Sequence, residues 1–214
     1  MRNIIVYDFD GTITTKDTFP LFIKFVKGTG GFLFIFLLFS PILVLMKLGL
    51  YEKDKAKEKM FAFVFKGVDY SLFKQWCLDF APKHKCILRA KALSSIKEYS
   101  DQDNTTLYII SASIKDWIEP FFAKDDFKMI IATEIEVDSS GKLTGRFKSK
   151  NCNREQKIER LLAVEPNRKS YYLTVYGDSS GDKPLITFAD KGVYVKEDSD
   201  FFMKKCQVHV NYWQ

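Results

Sequence analysis

Apolar and polar positions divide the chain into two kinds of territory. Short apolar runs bounded by polar or turn residues mark buried strands. They cover Asn3–Phe9, Thr105–Ala112, a run beginning at Met129 (MIIATEIEV), Tyr171–Tyr176 and Gly192–Val195. Helical spacing lies between them, at Ser113–Ala123, Arg154–Val164 and Gly181–Ala189. Strands alternating with helices predict an α/β chain with a parallel sheet and right-handed crossovers. The turn Asp138-Ser139-Ser140-Gly141 predicts a hairpin over Glu134–Phe147. From Asp17 to Ala92 the alternation stops, and only helical periodicity remains. That block predicts an all-α insertion lying over the carboxyl edge of the sheet, where open α/β folds bind ligands. The expected division is an α/β core over residues 1–16 and 93–214, with a helical insertion over 17–92.

Length and composition narrow this picture. A chain of 214 residues suffices for one α/β core and a small accessory domain. With 46% hydrophobic and 28% charged residues, it excludes compositional disorder. The net charge of +6 suits an anionic partner: a phosphate ester, a nucleic acid or an anionic membrane surface. Lysines and arginines are scattered and no recognition motif is present, so no nucleic-acid partner is expected. Cys77, Cys86, Cys152 and Cys206 form no CxxC pair, and only His84 and His209 accompany them. Buried free thiols in a reducing, cytoplasmic setting are therefore expected, rather than zinc. The apolar run near the N-terminus is too short for a signal peptide.

Four motifs fall near the ends of predicted strands, which converge on one crevice in a parallel sheet. In Asp8-Phe9-Asp10-Gly11-Thr12, residues i and i+2 of an extended chain point the same way, so two carboxylates share one space. Paired acids that close invite a hard cation with oxygen ligands, such as magnesium. Gly11 permits a tight turn after them. Ser111, in IISAS, offers a strand-end hydroxyl to a phosphoryl oxygen. Lys157 lies near a helix start, where the dipole already favours anions. In Gly177-Asp178-Ser179-Ser180-Gly181-Asp182, two acids straddle a strand-to-helix turn. Each motif alone is also an ordinary turn, a solvated lysine or a strand-end serine.

Taken in order, the four resemble the haloacid dehalogenase superfamily: an N-terminal DxDGT, a strand-end Ser, a downstream Lys, then GDSxxD. The insert directly after DxDGT is similar to the helical-cap subfamily IB, which includes phosphoserine phosphatase. The resemblance implies a Rossmann-like three-layer fold and a Mg2+-dependent phosphatase acting through an aspartyl-phosphate. It implies Asp8 as nucleophile and Asp10 as general acid and base. Ser111, Lys157, Gly11 and Thr12 would hold the phosphoryl group. Asp8, the Asp10 carbonyl and Asp178 would hold the metal, with Asp182 behind them.

Substrate choice is expected to lie in the insert. Residues 28–46 carry no charge, while Lys24, Lys27, Lys47, Lys53, Lys55, Lys57 and Lys59 flank them. Three readings stand: a buried hairpin turning at Ser40-Pro41, an apolar element contacting the inner face of an anionic membrane through residues 28–50, or a spanning helix. The Phe-rich segment after DxDGT, the LxxISAS strand end, Cys152-x4-Lys157 and GDSxxDxPLI also resemble bacterial phosphatidylglycerophosphate phosphatases. That resemblance implies a lipid headgroup as substrate. The alternative is a small soluble phosphoester such as phosphoserine, with Asp17 binding its ammonium. A non-catalytic membrane-docking domain of this fold and phosphotransfer to an acceptor other than water are further readings, and oligomeric state stays open.

Overall fold

A computed structural model describes residues 2–195; the Cys206 and His209 readings lie outside them. Five strands form one wholly parallel sheet in the order β3-β2-β1-β6-β7. They are β1 (Arg2–Tyr7), β2 (Thr105–Ile114), β3 (Met129–Thr133), β6 (Tyr171–Gly177) and β7 (Lys191–Tyr194). Between β3 and β6, β4 (Ile135–Val137) and β5 (Leu143–Phe147) make a separate antiparallel ribbon.

β1 sits at the centre because it is apolar on both faces. Ile5 and Tyr7 join the core beneath α4 (Ala90–Ser100) and α5 (Lys115–Ile118). Ile4 and Val6 point to the other face, against Leu161 of α6 (Glu155–Val164) and Leu185 and Ile186 of α7 (Lys183–Phe188). Period-two alternation along one strand thus builds three layers, helix on sheet on helix.

Between β1 and β2 the chain forms α1 (Thr18–Lys47), α2 (Lys53–Phe65) and α3 (Tyr70–Lys83) before α4. Their phenylalanines gather around Phe22, which is fully buried. Its ring centroid lies 5.8 Å from Phe65, 5.4 Å from Phe73, 5.2 Å from Phe80 and 4.8 Å from Trp117 of α5. The ribbon packs on α2 rather than extending the sheet: Gly67 N donates to Leu143 O at 2.8 Å, and Leu143 N to Val68 O at 2.9 Å.

Several local expectations change. The helix expected over Ser113–Ala123 is strand to Ile114, then the short α5 and a tight turn Glu119–Phe121, because Pro120 cannot continue the ladder. α4 was not anticipated. Cys77 and Cys152 are buried, but Cys86 is exposed. No hairpin forms at Ser40-Pro41: α1 runs on to Lys47, and Ser40 Oγ donates to the Leu37 carbonyl at 2.7 Å. That carbonyl is the one Pro41, lacking an N–H, leaves without its helical donor. The break falls instead at Gly28, whose φ of 70° and ψ of 175° turn α1 into an elbow. No Cβ could adopt that conformation without strain.

Phe22→Ala is expected to lower unfolding stability by about 3–5 kcal/mol, measured as a shifted denaturant midpoint. Phe34→Ala, at a 63% exposed position of α1, is expected to change it by less than about 0.5 kcal/mol.

Candidate active site

The site forms where β1 and β6 end side by side. Asp8 continues β1 by donating its N–H to Tyr176 O at 2.9 Å, and β6 then delivers Asp178 just beyond Gly177. Between them the chain turns sharply over Phe9–Ile13. Gly11, at φ 77°, lies so close to the Asp178 carboxylate that a Cβ there would meet its Oδ2 at 2.2 Å. The glycine therefore lets one strand end pass over the other.

Asp8, Asp178 and Asp182 bring carboxylate oxygens within 4.8 Å of one another. Lys157 sits among them, 2% exposed, with Nζ 2.8 Å from Asp8 Oδ1 and bonded to Asp182 Oδ1. Asp182 Oδ2 accepts from Ser179 N at 3.0 Å and Ser179 Oγ at 2.7 Å. Both Asp182 oxygens are thus engaged by protein donors, which suits a residue that positions Lys157 and the Asp178 loop. Lys157 comes from the first turn of α6, not from a strand end; the 148–154 loop carries it in.

Burial, then the Asp182 charge, push the Asp8 carboxyl above its usual range, and Lys157 and the Ser111 hydroxyl offset part of this. Burial alone would lower the Lys157 pKa, but Asp8 and Asp182 hold it raised and charged. Asp178 is exposed to the cleft, yet partial desolvation, then the charges of Asp8 and Asp182, push it up to about 7. One buried ammonium thus faces three carboxyls. Asp8 Oδ1 has no well-aligned hydrogen bond despite its burial. The donor set is hard oxygen, and Asp8 and Asp178 have oxygens to spare, so a divalent cation such as Mg2+ fits here.

Asp10 faces a different environment. Its Oδ1 accepts from Thr18 N at 2.9 Å and Thr18 Oγ1 at 2.7 Å, at the start of α1. Thr18 Oγ1 lies 3.0 Å from Ser113 Oγ and accepts from Trp117 Nε1 at 3.1 Å. Burial, then the Asp17 charge, push Asp10 up to about 7. A group that holds a proton near neutral pH can give and take one there.

Asp8, Asp10, Gly11, Asp17, Ser111 and Asp178 line one open cleft of about 400 Å³. Thr12 stands behind it, its hydroxyl 3.3 Å from Asp178 Oδ1. Asp17 stands at the mouth and caps α1 by accepting from Phe19 N at 2.9 Å.

Other residues of the site escaped sequence reasoning. Lys57 donates to Ala112 O at 2.8 Å. Asp54 accepts from Asn151 Nδ2 at 2.7 Å and Asn153 Nδ2 at 3.3 Å. Glu58 accepts from Phe147 N at 2.9 Å. Asp54, Lys57 and Glu58 share one helical face, so α2 is clamped to the loops beside the cleft. The i, i+3, i+4 spacing is visible in the sequence, but nothing marks those half-buried charges as bonded to distant loops rather than solvated. Arg154, also on the cleft wall, holds the positive φ of 51°, rare outside glycine.

The chain is 26% identical over 195 residues to Protein CicA of Caulobacter vibrioides, covering 89% of this chain and 85% of that protein. A structure of a Bordetella pertussis Tohama I protein of unknown function superposes with a TM-score of 0.79 at 18% identity, covering 91% of this chain and 90% of that one. A phosphoserine phosphatase solved as a phospho-aspartyl intermediate analogue superposes with a TM-score of 0.62 at 18% identity, covering 90% and 85%. At these identities the structural likeness concerns the fold. The profile of the haloacid dehalogenase-like hydrolases matches residues 5–187, and the chain belongs to that family.

Proposed function

We propose that the protein is a Mg2+-dependent phosphomonoester hydrolase working through an aspartyl-phosphate on Asp8. The observation that carries this reading is the pairing of two unlike carboxyls. Asp8 lies against a buried, charged Lys157, while Asp10, two residues on, is tuned near neutrality.

Lys157 and Ser111 hold the transferring phosphoryl group at the Asp8 carboxylate. An Asp8 oxygen attacks phosphorus as the ester P–O bond breaks, and the proton of Asp10 goes to the departing alkoxide. Asp10, now ionised, takes a proton from water. The water oxygen attacks phosphorus, the Asp8–phosphorus bond breaks, and inorganic phosphate leaves. Thr18 holds Asp10 in place throughout. Asp8, Asp178 and the Asp10 main-chain carbonyl would hold the cation, which when bound offsets repulsion between the carboxylates and an anionic substrate. The phosphoserine phosphatase of similar fold, solved as a phospho-aspartyl intermediate analogue, supports this reading.

The substrate reading best supported is a lipid phosphate at the inner face of a membrane, such as phosphatidylglycerophosphate. α1 is long and apolar enough to cross a membrane, but only 11% of its most apolar window is buried. Leu37, Phe34 and Leu33 are 72%, 63% and 59% exposed. The elbow at Gly28 leaves a straight piece over residues 29–47, about 28 Å long. One side of it is covered by charge-rich α2, against which Ile35 and Phe39 are buried. A spanning piece would drag those lysines into hydrocarbon, so α1 is read as resting on an anionic surface, with its flanking lysines at the headgroups. Residues 17–92 act as the cap that presents the substrate. The phosphoserine reading rests on Asp17 at the cleft mouth, but one oxygen of that carboxylate already caps α1.

Magnesium-dependent phosphate release is expected from phosphatidylglycerophosphate in mixed micelles, with Asp8→Asn at background. Release from phosphoserine alone would overturn the lipid reading, and silence on a broad phosphoester panel would overturn the phosphatase. Magnesium is expected to raise the melting temperature, more at pH 8 than at pH 5.5, because carboxyls raised toward 7 must lose their protons to bind it. Asp178→Asn is expected to abolish that shift. In single-turnover experiments, alcohol release needs protonated Asp10, so it is expected to slow as pH rises through about 7. Asp10→Asn is expected to be slower by about 10²–10⁴-fold and to lack that limb.

A further inference from the structure

The elbow of α1 frames a second, half-open cavity, of about 370 Å³. Its walls are Phe19, Pro20 and Ile23 before the elbow, Phe32, Ile35 and Leu43 after it, and Ala56 and Met60 of α2. Phe19, Ile23, Ile35 and Ala56 are each less than 10% exposed, so part of the chamber wall is finished core. The chamber does not stand apart from the catalytic cleft. Asp17, Lys53 and Lys57 line both. Lys57 is held in place by Ala112 O and lies 5.5 Å from the Phe19 ring centroid. Lys53 is exposed and has no ion-pair partner among the described residues. A polar cleft thus opens through a collar holding two lysines and one acid into an apolar chamber.

We infer that this chamber is the binding site for the alkyl chain of an amphiphilic phosphomonoester whose phosphate lies at Asp8. The inference rests on the phosphatase reading and adds to it where the rest of the substrate goes. A chamber walled by seven or more large apolar side chains gains nothing from a zwitterionic metabolite, which would leave it wet. A chain leaving a phosphate in the cleft must pass the collar, where Lys53 and Lys57 face the anionic head and their stems face the tail. Size sets the class of chain. A dry cavity near 150 Å³ takes one six-carbon ring, so about 370 Å³ takes one chain of roughly a dozen carbons, and of a two-chain lipid such as phosphatidylglycerophosphate it would take one chain and leave the other at the membrane surface. The outer face of α1, with Phe34 and Leu37, points away from this chamber and contributes none of its lining.

The test uses monoalkyl phosphates from butyl to hexadecyl, at micromolar concentrations, with magnesium and the full chain. kcat/KM is expected to rise roughly two- to fourfold per added methylene, then level off near twelve carbons. Met60→Trp and, separately, Ala56→Phe fill the chamber, and each is expected to lower the decyl-to-butyl ratio of kcat/KM at least tenfold. Leu37→Ser, on the outer face, is expected to keep that ratio. Equal kcat/KM at all lengths, with hydrolysis proceeding, would overturn the chamber and leave the phosphatase standing. So would a ratio that falls with Leu37→Ser but not with the filling variants. If no phosphomonoester is hydrolysed, the phosphatase reading fails. The chamber is then judged by calorimetry of decyl against butyl phosphate on Asp8→Asn: tighter decyl binding that Met60→Trp removes supports it, and equal binding overturns it.

Discussion

One buried lysine among three carboxyls sets the terms for the rest of this structure. Lys157 is almost wholly excluded from water, and only Asp8 and Asp182 keep it charged against the cost of burial. The same contact leaves an imbalance of negative charge around Asp8 and Asp178 that a cation can answer. For the cluster to exist, β1 must lie beside β6, α6 must enter from the opposite face, and the 178–182 loop must fold back through Ser179. The strand order with β1 at the centre meets all three conditions.

The two acids of the first motif owe their difference to what each strand end meets. Asp8 looks into the sheet, toward Lys157 and Ser111. Asp10, past the Phe9–Ile13 turn, looks toward Thr18 at the start of α1. That carboxyl is thereby tied to the first turn of the helix that also lines the apolar chamber. Motion of α1 would be felt at Asp10 through Thr18, Ser113 and Trp117, a chain of contacts all within 3.1 Å.

Beyond the sheet, α1 combines two incompatible surfaces. Its first turns are packed into an aromatic core around Phe22, while its second half exposes Phe34, Leu37 and their neighbours. Gly28 separates the two, and the Ser40 hydroxyl carries the second half past Pro41 without a turn. α2 then fastens the assembly through Asp54, Lys57 and Glu58, so that the chamber and the cleft share a wall.

The sequence by itself determined the parallel strands, the helical block between the first two of them and the convergence of Asp8, Asp10, Gly11, Ser111 and Asp178 on one cleft. Those depend on local signals: apolar runs with period two, glycine at a forced turn, and acids placed just beyond strand ends. It did not determine where α1 would bend, because both the Ser40-Pro41 pair and the Gly28 run are legitimate breaks, and packing against α2 chose the second. Nor did it separate Asp54, Lys57 and Glu58 from ordinary solvated charges, since their partners lie 55 to 99 residues away. Only the tertiary structure decided that Lys157 would be buried, that Asp8 and Asp10 would face different partners, and that an apolar chamber would open onto the cleft. Each of these is a matter of what surrounds a group in space, and that is fixed by long-range packing rather than by neighbours in the chain.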